Sequence, residues 1–296
     1  MTPTPYIGRF APSPTGPMHL GTLIAAVASY LQAKTNQGQW LIRMEDVDTM
    51  RNVKGADKLL LDSLEAFGFE WDGDVIYQTD RSHLYADALE QLNRQQVVYP
   101  CTCSRKHLSS LDDYQTTGIY PGTCRDNLLP FHDEHAIRLK VNNTDIQFDD
   151  IVMGPQRENL ATACGDFVIK RRDGLFAYQL AVVVDDASQG VTEIVRGADL
   201  LDSTARQIYL QQCLGYTTPA YLHLPLALGS DGKKLSKLTA AKPVDNQQPV
   251  PALFDTLSHL GQKIPDTYRQ AGLDEIWRWA IDNWDTNKVP EYNQPV

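Results

Sequence analysis

Near its start the chain reads His19-Leu20-Gly21-Thr22, and near its end Lys234-Leu235-Ser236-Lys237. Each is a short segment of a kind that handles phosphate, and neither is informative alone. Two such segments, this far apart and in this order, can serve one nucleoside triphosphate only if the chain between them folds back to bring its ends together. A doubly wound α/β sheet does this, because its ligands sit past the carboxyl ends of parallel strands drawn from distant parts of the chain.

The chemistry of the segments agrees. Gly16 and Gly21 let backbone approach a phosphate closely, and a helix starting near Leu20 points the positive end of its dipole at the nucleotide. His19 can donate a hydrogen bond to a phosphate oxygen as charge develops there. Lysine is a point charge on a flexible stem, so Lys237, with Lys234 in support, can stabilise an α-phosphate under attack and the leaving pyrophosphate. The plain alternatives are a proline-rich loop before a core helix, with His19 at the surface, and a solvated basic loop after the Gly229-Ser230-Asp231-Gly232 turn.

Periodicity fills in the fold. Residues 6–10 read as a strand, 12–17 as a loop, 20–33 as a helix and 40–44 as a second strand, with Glu45, Asp46 and Asp48 just beyond it. Amphipathic helices follow at 56–67 and 82–92. This strand–helix–strand opening predicts a doubly wound parallel sheet. From 99 to 160 the pattern breaks into cysteines, turns and charges, the mark of an insertion. Strands are expected again at 166–170, 180–184, 193–196 and 221–228, with a helix at 203–214. The nearly unbroken aliphatic run at 180–184 fits a buried parallel strand. The expected organisation is therefore a Rossmann-like catalytic domain in two halves, 1–98 and 166–240, split by an insertion at 99–165 and followed by a short helical region at 241–296.

Composition narrows the class. Of 296 residues 42% are hydrophobic, enough for a sizeable core, and the formal net charge of -10 argues against broad electrostatic capture of nucleic acid while leaving room for a local basic track. Lys170, Arg171 and Arg172 are candidates for such a track, or for a solvated strand end. No apolar run is long enough to span a bilayer, and the first residues have neither a basic start nor an apolar signal segment. A cytoplasmic protein without membrane attachment is expected.

The five cysteines are an odd number, and three of them, Cys101, Cys103 and Cys124, cluster. In a reducing compartment that suits a metal better than a disulfide framework. Thiolates favour zinc, which is four-coordinate in structural sites, so one ligand is left to find among His107, Tyr120, His132 and His135. The alternative is three free buried thiols. Cys164 and Cys213 fall in apolar segments and read as core residues. Asp185-Asp186 reads equally as a magnesium site or as a buried strand reaching solvent.

Taken together, the His19 and Lys234–Lys237 segments resemble the signature pair of class I aminoacyl-tRNA synthetases, and Arg9-Phe10-Ala11-Pro12-Ser13-Pro14-Thr15-Gly16 resembles the glutamyl-tRNA synthetase branch. The likeness runs from residue 6 to about 240 and stops where full members continue into a long anticodon-binding region. With the Cys-x-Cys insertion, the chain resembles the shortened paralogues of that branch, the glutamyl-queuosine tRNA(Asp) synthetases. Thr22 stands where the first signature often has a second histidine, Leu235 for its methionine counterpart and Leu238 for the terminal serine.

The resemblance implies a class I synthetase fold with a zinc-bearing insertion, and a ligase that activates L-glutamate with ATP and transfers it to the queuosine base of the tRNA(Asp) anticodon arm. It implies catalytic roles for His19, Lys234 and Lys237 and an ATP site of Gly16, His19, Gly21, Thr22, Lys234, Ser236 and Lys237. It further implies a glutamate site of Arg9, Phe10, Ala11, Pro12, Ser13, Glu45, Tyr178 and Arg196. Tyr120 is the implied fourth zinc ligand beside Cys101, Cys103 and Cys124, Mg2+ enters with ATP, and the expected state is a monomer. Two arginines and one glutamate also satisfy an acidic amino acid on chemical grounds, since guanidinium grips carboxylate and an anion receives ammonium. The rivals are a truncated synthetase charging a tRNA 3′ end, a small-molecule nucleotidylyltransferase, and a non-catalytic synthetase-like tRNA-binding module.

Overall fold

The computed structural model describes residues 5–127, 129–228 and 242–291 and the backbone of Gln294–Pro295. Its first half opens with β1 (Ile7–Phe10), α1 (Leu20–Thr35), β2 (Gln39–Met44), α2 (Ala56–Ala66), β3 (Ile76–Tyr77) and α3 (Ser82–Arg94). A middle region follows with β4 (Val98–Cys101), the short α4 (Arg105–Leu108) and α5 (Asp112–Thr117), β5 (Ala136–Leu139), β6 (Asp145–Asp150), β7 (Gly154–Asn159), the one-turn α6 (Leu160–Ala163) and β8 (Phe167–Lys170). Then come α7 (Tyr178–Ser188), β9 (Glu193–Gly197), α8 (Leu201–Leu214), β10 (Ala220–Leu224), β11 (Ala227–Leu228), α9 (Pro249–His259), α10 (Leu273–Asn283) and β12 (Gln294–Pro295).

The strands build a parallel α/β sheet with a switch point. β1 pairs with β2 and β2 with β3, all parallel, while β9 pairs parallel with β10 and β10 with β6. The two halves meet where β9 runs beside β1: the Thr192 N–H donates to Ile7 O at 2.9 Å and the Ile7 N–H to Thr192 Oγ1 at 2.9 Å. Strand order thus reverses between β1 and β9, and a crevice opens beyond their carboxyl ends. β7 joins antiparallel at the far edge through a hairpin with β6. A separate antiparallel sheet, ordered β4-β5-β8, carries the cysteine cluster at one end.

Two apolar layers clamp the sheet. On one side α1 is buried along most of its length, because α9 and α10 cover the face that the strands do not. Tyr30 of α1 sits edge-on to Trp40, Phe69 and Trp277, at centroid distances of 5.1, 5.3 and 4.8 Å. Trp277 brings α10 into this cluster and donates its indole N–H to Phe67 O at 2.8 Å, so the polar edge of the ring is satisfied inside the core. On the other side α3, α7 and α8 pack together over Leu180, Val183, Ile208 and Leu210.

Two local expectations are corrected. The aliphatic run at 180–184 is the interior of helix α7, not a strand. Every residue of α7 from Leu180 to Asp186 is buried, so the helix has no polar face and its sequence carries the same unbroken apolar signal as a buried strand. The strand expected over 221–228 is interrupted at Pro225, which cannot donate to a ladder, and splits into β10 and β11. Among the described residues no helix is long and apolar enough to cross a membrane.

Candidate active site

A cavity of about 790 Å³ occupies the crevice at the switch point. Arg9 and Phe10 reach it from the end of β1, Ala11, Pro12 and Ser13 from the loop that follows, and His19, Gly21 and Thr22 from the start of α1. Glu45 enters just past β2, Tyr178 from the first residue of α7 and Arg196 from the end of β9. Residues more than 180 positions apart thus share one space because all sit at carboxyl ends of neighbouring strands or at the helix starts beside them. Gly16 is outside the lining; it turns the loop at a φ of 141°, where a side chain would be strained.

Lys234, Ser236 and Lys237 lie outside the described residues. The segment that holds them leaves from β11, whose Ala227 lines the cavity. The chain is described again from Lys242, where Pro243 bridges to His19 and the Val244 N–H donates to Met18 O at 3.0 Å.

Arg9 and Glu45 are held by one buried ionic cluster. Arg9 Nε donates to Asp186 Oδ1 at 3.0 Å, and Arg43 Nη1 donates to the same oxygen at 2.8 Å. Arg43 Nη2 then reaches Glu45 Oε1 at 3.3 Å. Arg43 is wholly buried. Burial pushes the Asp186 carboxyl up, but the guanidinium groups of Arg9 and Arg43 outweigh it and hold the group below the usual aspartate range. Glu45 shows the reverse balance: burial dominates, and it titrates above the usual glutamate range despite Arg43 and Arg9. Asp185 is equally engaged, taking Arg81 Nε at 2.6 Å, Gln78 Nε2 at 2.8 Å and the Tyr85 hydroxyl at 2.8 Å. The two aspartates therefore anchor arginines deep in the protein rather than marking a strand's arrival at solvent.

Arg196 is gripped from behind. Its Nε donates to His223 Nε2 at 3.0 Å, Nη1 to Gln207 Oε1 at 2.7 Å and Nη2 to Thr204 Oγ1 at 2.8 Å. Two longer contacts, to the Tyr178 hydroxyl at 3.5 Å and Leu200 O at 3.3 Å, go to residues of the cavity wall. An incoming carboxylate can replace those two without disturbing the rest. Guanidinium suits this, with five donors in a fixed fork.

His19 is the N-cap of α1, and its Nδ1 accepts the Thr22 N–H at 3.3 Å. Thr22 Oγ1 lies 3.1 Å from His19 Nε2. The imidazole thus sits at the positive end of a buried helix beside the cavity, where a phosphate is favoured.

Outside the cavity, the thiols of Cys101, Cys103 and Cys124 lie within 4.8 Å of one another. The Tyr120 hydroxyl stands 3.4 Å from Cys101 Sγ and 3.7 Å from Cys103 Sγ. Burial would raise the Cys124 thiol, but hydrogen bonds from Thr102, Tyr120 and Cys103 bring it down to about 7, whereas burial pushes Cys103 up to about 11. Arg138 adds a cation, donating Nε to Cys101 Sγ at 3.3 Å with its guanidinium 3.6 Å from the centre of the Tyr120 ring. A converging soft donor set beside a compensating cation fits a thiophilic ion such as zinc. His132 and His135 instead face each other in a turn, with ring centroids 5.6 Å apart and planes tilted by 51°. Of the proposed basic track, Arg171 pairs with Asp48 at 3.1 Å and Arg172 donates to Glu134 O at 3.1 Å.

Reasoning from sequence singled out Asp186 without finding its role as the anchor of Arg9 and Arg43, and missed Arg43, Asp150, Thr204, Gln207 and His223. None lies in a motif; Arg43, Asp150 and His223 act through partners far away in the chain, while Thr204 and Gln207 reach Arg196 from the helix that follows it, 8 and 11 positions on. A weak signal existed in two charged or polar residues, Arg43 and His223, set inside otherwise apolar strands, since such a residue in a core needs a partner.

Comparisons with known proteins place the chain in a family. The family model for the catalytic domain of class I tRNA synthetases (E and Q) matches residues 7–261. The chain is 52% identical to a glutamyl-Q tRNA(Asp) synthetase of Aromatoleum aromaticum over 98% of this chain and 92% of that protein. It is 49% identical to one of Dechloromonas aromatica over 97% and 96%. A solved glutamate-tRNA synthetase from Elizabethkingia anophelis superposes with a TM-score of 0.83 at 26% identity, covering 99% of this chain and 68% of that one. The chain belongs to the class I tRNA synthetases of the glutamyl and glutaminyl type, within the glutamyl-Q tRNA(Asp) synthetase family, and is an enzyme of the synthetase ligase class.

Proposed function

We propose that the protein activates L-glutamate with ATP and transfers it to the queuosine base at the wobble position of tRNA(Asp). The observation that carries this reading is the convergence of Arg9, Glu45, Tyr178, Arg196 and His19 on one cavity at the switch point. In the first step an α-carboxylate oxygen of glutamate bonds to the α-phosphorus of ATP, the bond to the bridging oxygen breaks, and pyrophosphate leaves. The α-carboxylate must stay free to attack. The deep guanidinium of Arg196 therefore takes the side-chain carboxylate, while Glu45 receives the ammonium group. Arg9, with the backbone and side chains of Phe10, Ala11, Pro12 and Ser13, walls the amino acid on the β1 side. His19 and the start of α1 with Gly21 and Thr22 meet the phosphates, the Gly16 turn shapes their loop, and Lys234, Ser236 and Lys237 close the ATP site from the second signature. Mg2+ accompanies ATP, held mainly by its own phosphate oxygens. Chemistry here is mostly positioning and stabilisation of phosphate charge.

In the second step a ring hydroxyl of queuosine attacks the carbonyl carbon of glutamyl-adenylate, its bond to the phosphate oxygen breaks, AMP leaves, and the hydroxyl proton passes to solvent. No covalent enzyme intermediate is needed. The insertion holds one structural zinc through Cys101, Cys103 and Cys124 with Tyr120 as fourth ligand, and its contribution is to staple that region.

The test is transfer of labelled glutamate to tRNA(Asp) carrying queuosine and to the same tRNA lacking it. Label on the queuosine form alone, resistant to removal of the 3′ nucleotide, is expected. Equal labelling of both, lost with the 3′ end, would replace this reading with ordinary charging of a tRNA terminus.

A further inference from the structure

Arg196 is one end of a chain of three buried side chains that crosses the sheet. Asp150 ends β6, His223 lies in β10 and Arg196 in β9, and these are consecutive strands of one sheet. Asp150 Oδ2 lies 2.6 Å from His223 Nδ1, and His223 Nε2 lies 3.0 Å from Arg196 Nε. Exposure is 3% for Asp150, 0% for His223 and 5% for Arg196.

The donors fix the protons. Arginine Nε–H can only donate, so His223 Nε2 must accept and the ring proton must sit on Nδ1. That proton goes to Asp150. Asp150 is itself immobilised, because its other oxygen takes the backbone N–H groups of Val152 at 3.1 Å, Met153 at 2.8 Å and His223 at 3.2 Å. The histidine ring lies nearly parallel to that of Tyr221, with planes 10° and centroids 6.1 Å apart, and Thr204 Oγ1 stands 3.2 Å from its Nε2. Every degree of freedom of the imidazole is thus used before it meets the guanidinium. A buried aspartate and histidine are a poor way to fill a core. Their arrangement makes sense if the orientation of Arg196 is what they serve.

We propose that Asp150 and His223 are positioning residues for substrate recognition, locking the Arg196 guanidinium in the pose that receives a carboxylate in the cavity. This rests on the reading of Arg196 as the grip for the glutamate side chain. The relay sets tautomer and aim, as outer partners do for ligands held by histidine. Asp150 acts through His223 and neither touches substrate.

The test exploits the two nitrogens separately. In His223→Asn the amide N–H replaces Nδ1–H and keeps the bond to Asp150 but offers Arg196 nothing. In His223→Gln the amide oxygen reaches the place of Nε2 and restores the acceptor. Glutamate-dependent ATP–pyrophosphate exchange by the full chain should show KM for glutamate raised about 10- to 100-fold in His223→Asn, the worth of one hydrogen bond to a charged group. The turnover rate should change by less than about 3-fold, and His223→Gln should recover most of the KM. A KM for His223→Asn equal to or below that of His223→Gln overturns the proposal, because a residue that only steadies Asp150 and the fold is rescued by asparagine. Absence of any exchange by the unmodified protein would instead sink the glutamate reading. The relay is then judged by long-range nitrogen–proton NMR of the 15N-labelled protein at pH 7. A neutral His223 with its proton on Nδ1 supports it, and a proton on Nε2 overturns it.

Discussion

Replacing Arg43 with methionine tests whether the ionic cluster behind the cavity is one coupled unit. Arg43 is wholly buried and lies within ion-pair distance of Asp186 at 2.8 Å, Glu45 at 3.3 Å and Asp185 at 3.8 Å. Methionine fills much of the volume but leaves these carboxylates short of a cation. Breaking a buried pair from one side costs about 3–5 kcal/mol, a large share of the roughly 5–15 kcal/mol typical of a folded protein. In a chain of this size that corresponds to a fall in Tm of roughly 5–15 °C. Asp186→Asn should cost a comparable amount, since it strands Arg9 and Arg43 together. The double variant removes both charges, so its loss should fall short of the sum by about 1–3 kcal/mol. The assay is urea and thermal unfolding of all four proteins, with Lys58→Met as a control. Lys58 pairs with Asp62 in solvent and its removal should leave the transition where it was. An Arg43→Met protein within about 1 kcal/mol of the parent, or a cycle that is additive, would refute the coupling.

The remaining predictions concern chemistry and assembly. Glu45 titrates above the ordinary glutamate range, so the folded state takes up the extra proton between those two values, and KM for glutamate should rise as pH falls through that window. Glu45→Gln should bind weakly and lose this pH dependence, and a pH profile unchanged from the parent would show that Glu45 is not the ammonium partner. Asp150 and Asp186 have the opposite sign: their stabilisation is present above the ordinary aspartate value and is lost as pH falls through their depressed values, so acid unfolding should begin at higher pH in Asp186→Asn. Purified protein should carry about one zinc per chain by elemental analysis. Cys103→Ser should lose it and unfold earlier, whereas full zinc retention would remove Cys103 from the ligand set. Trp277→Ala should cost about 3–5 kcal/mol by removing the aromatic anchor of α10 from the core under α1; an unchanged Tm would show that α10 is not docked there. Lys237→Ala should slow exchange about 10²- to 10³-fold at unchanged Tm.

The sequence made the start of the fold and much of the cavity lining legible because those signals are local. The strand at 7–10, the loop with Pro12 and Pro14 and the helix from Leu20 are encoded by neighbours, so their reading required no tertiary knowledge. Helix α7 was illegible for a physical reason: once an element is buried all round, the polar face that would reveal its period is gone. The supports of the site were hidden by distance. Arg43 meets Asp186 across 143 positions and His223 meets Asp150 across 73, and nothing near either residue announces its partner. The residues expected to touch a ligand could be read from motifs, whereas those that aim them could be found only in three dimensions.

The central claim is that a single cavity recognises and activates an acidic amino acid. It is tested most directly by ATP–pyrophosphate exchange with the purified protein and no tRNA. Exchange should depend on L-glutamate, fail with L-glutamine, which lacks the second carboxylate that Arg196 is held to receive, and collapse in Arg196→Ala. Exchange supported equally by glutamine, or persisting in Arg196→Ala, would contradict the account.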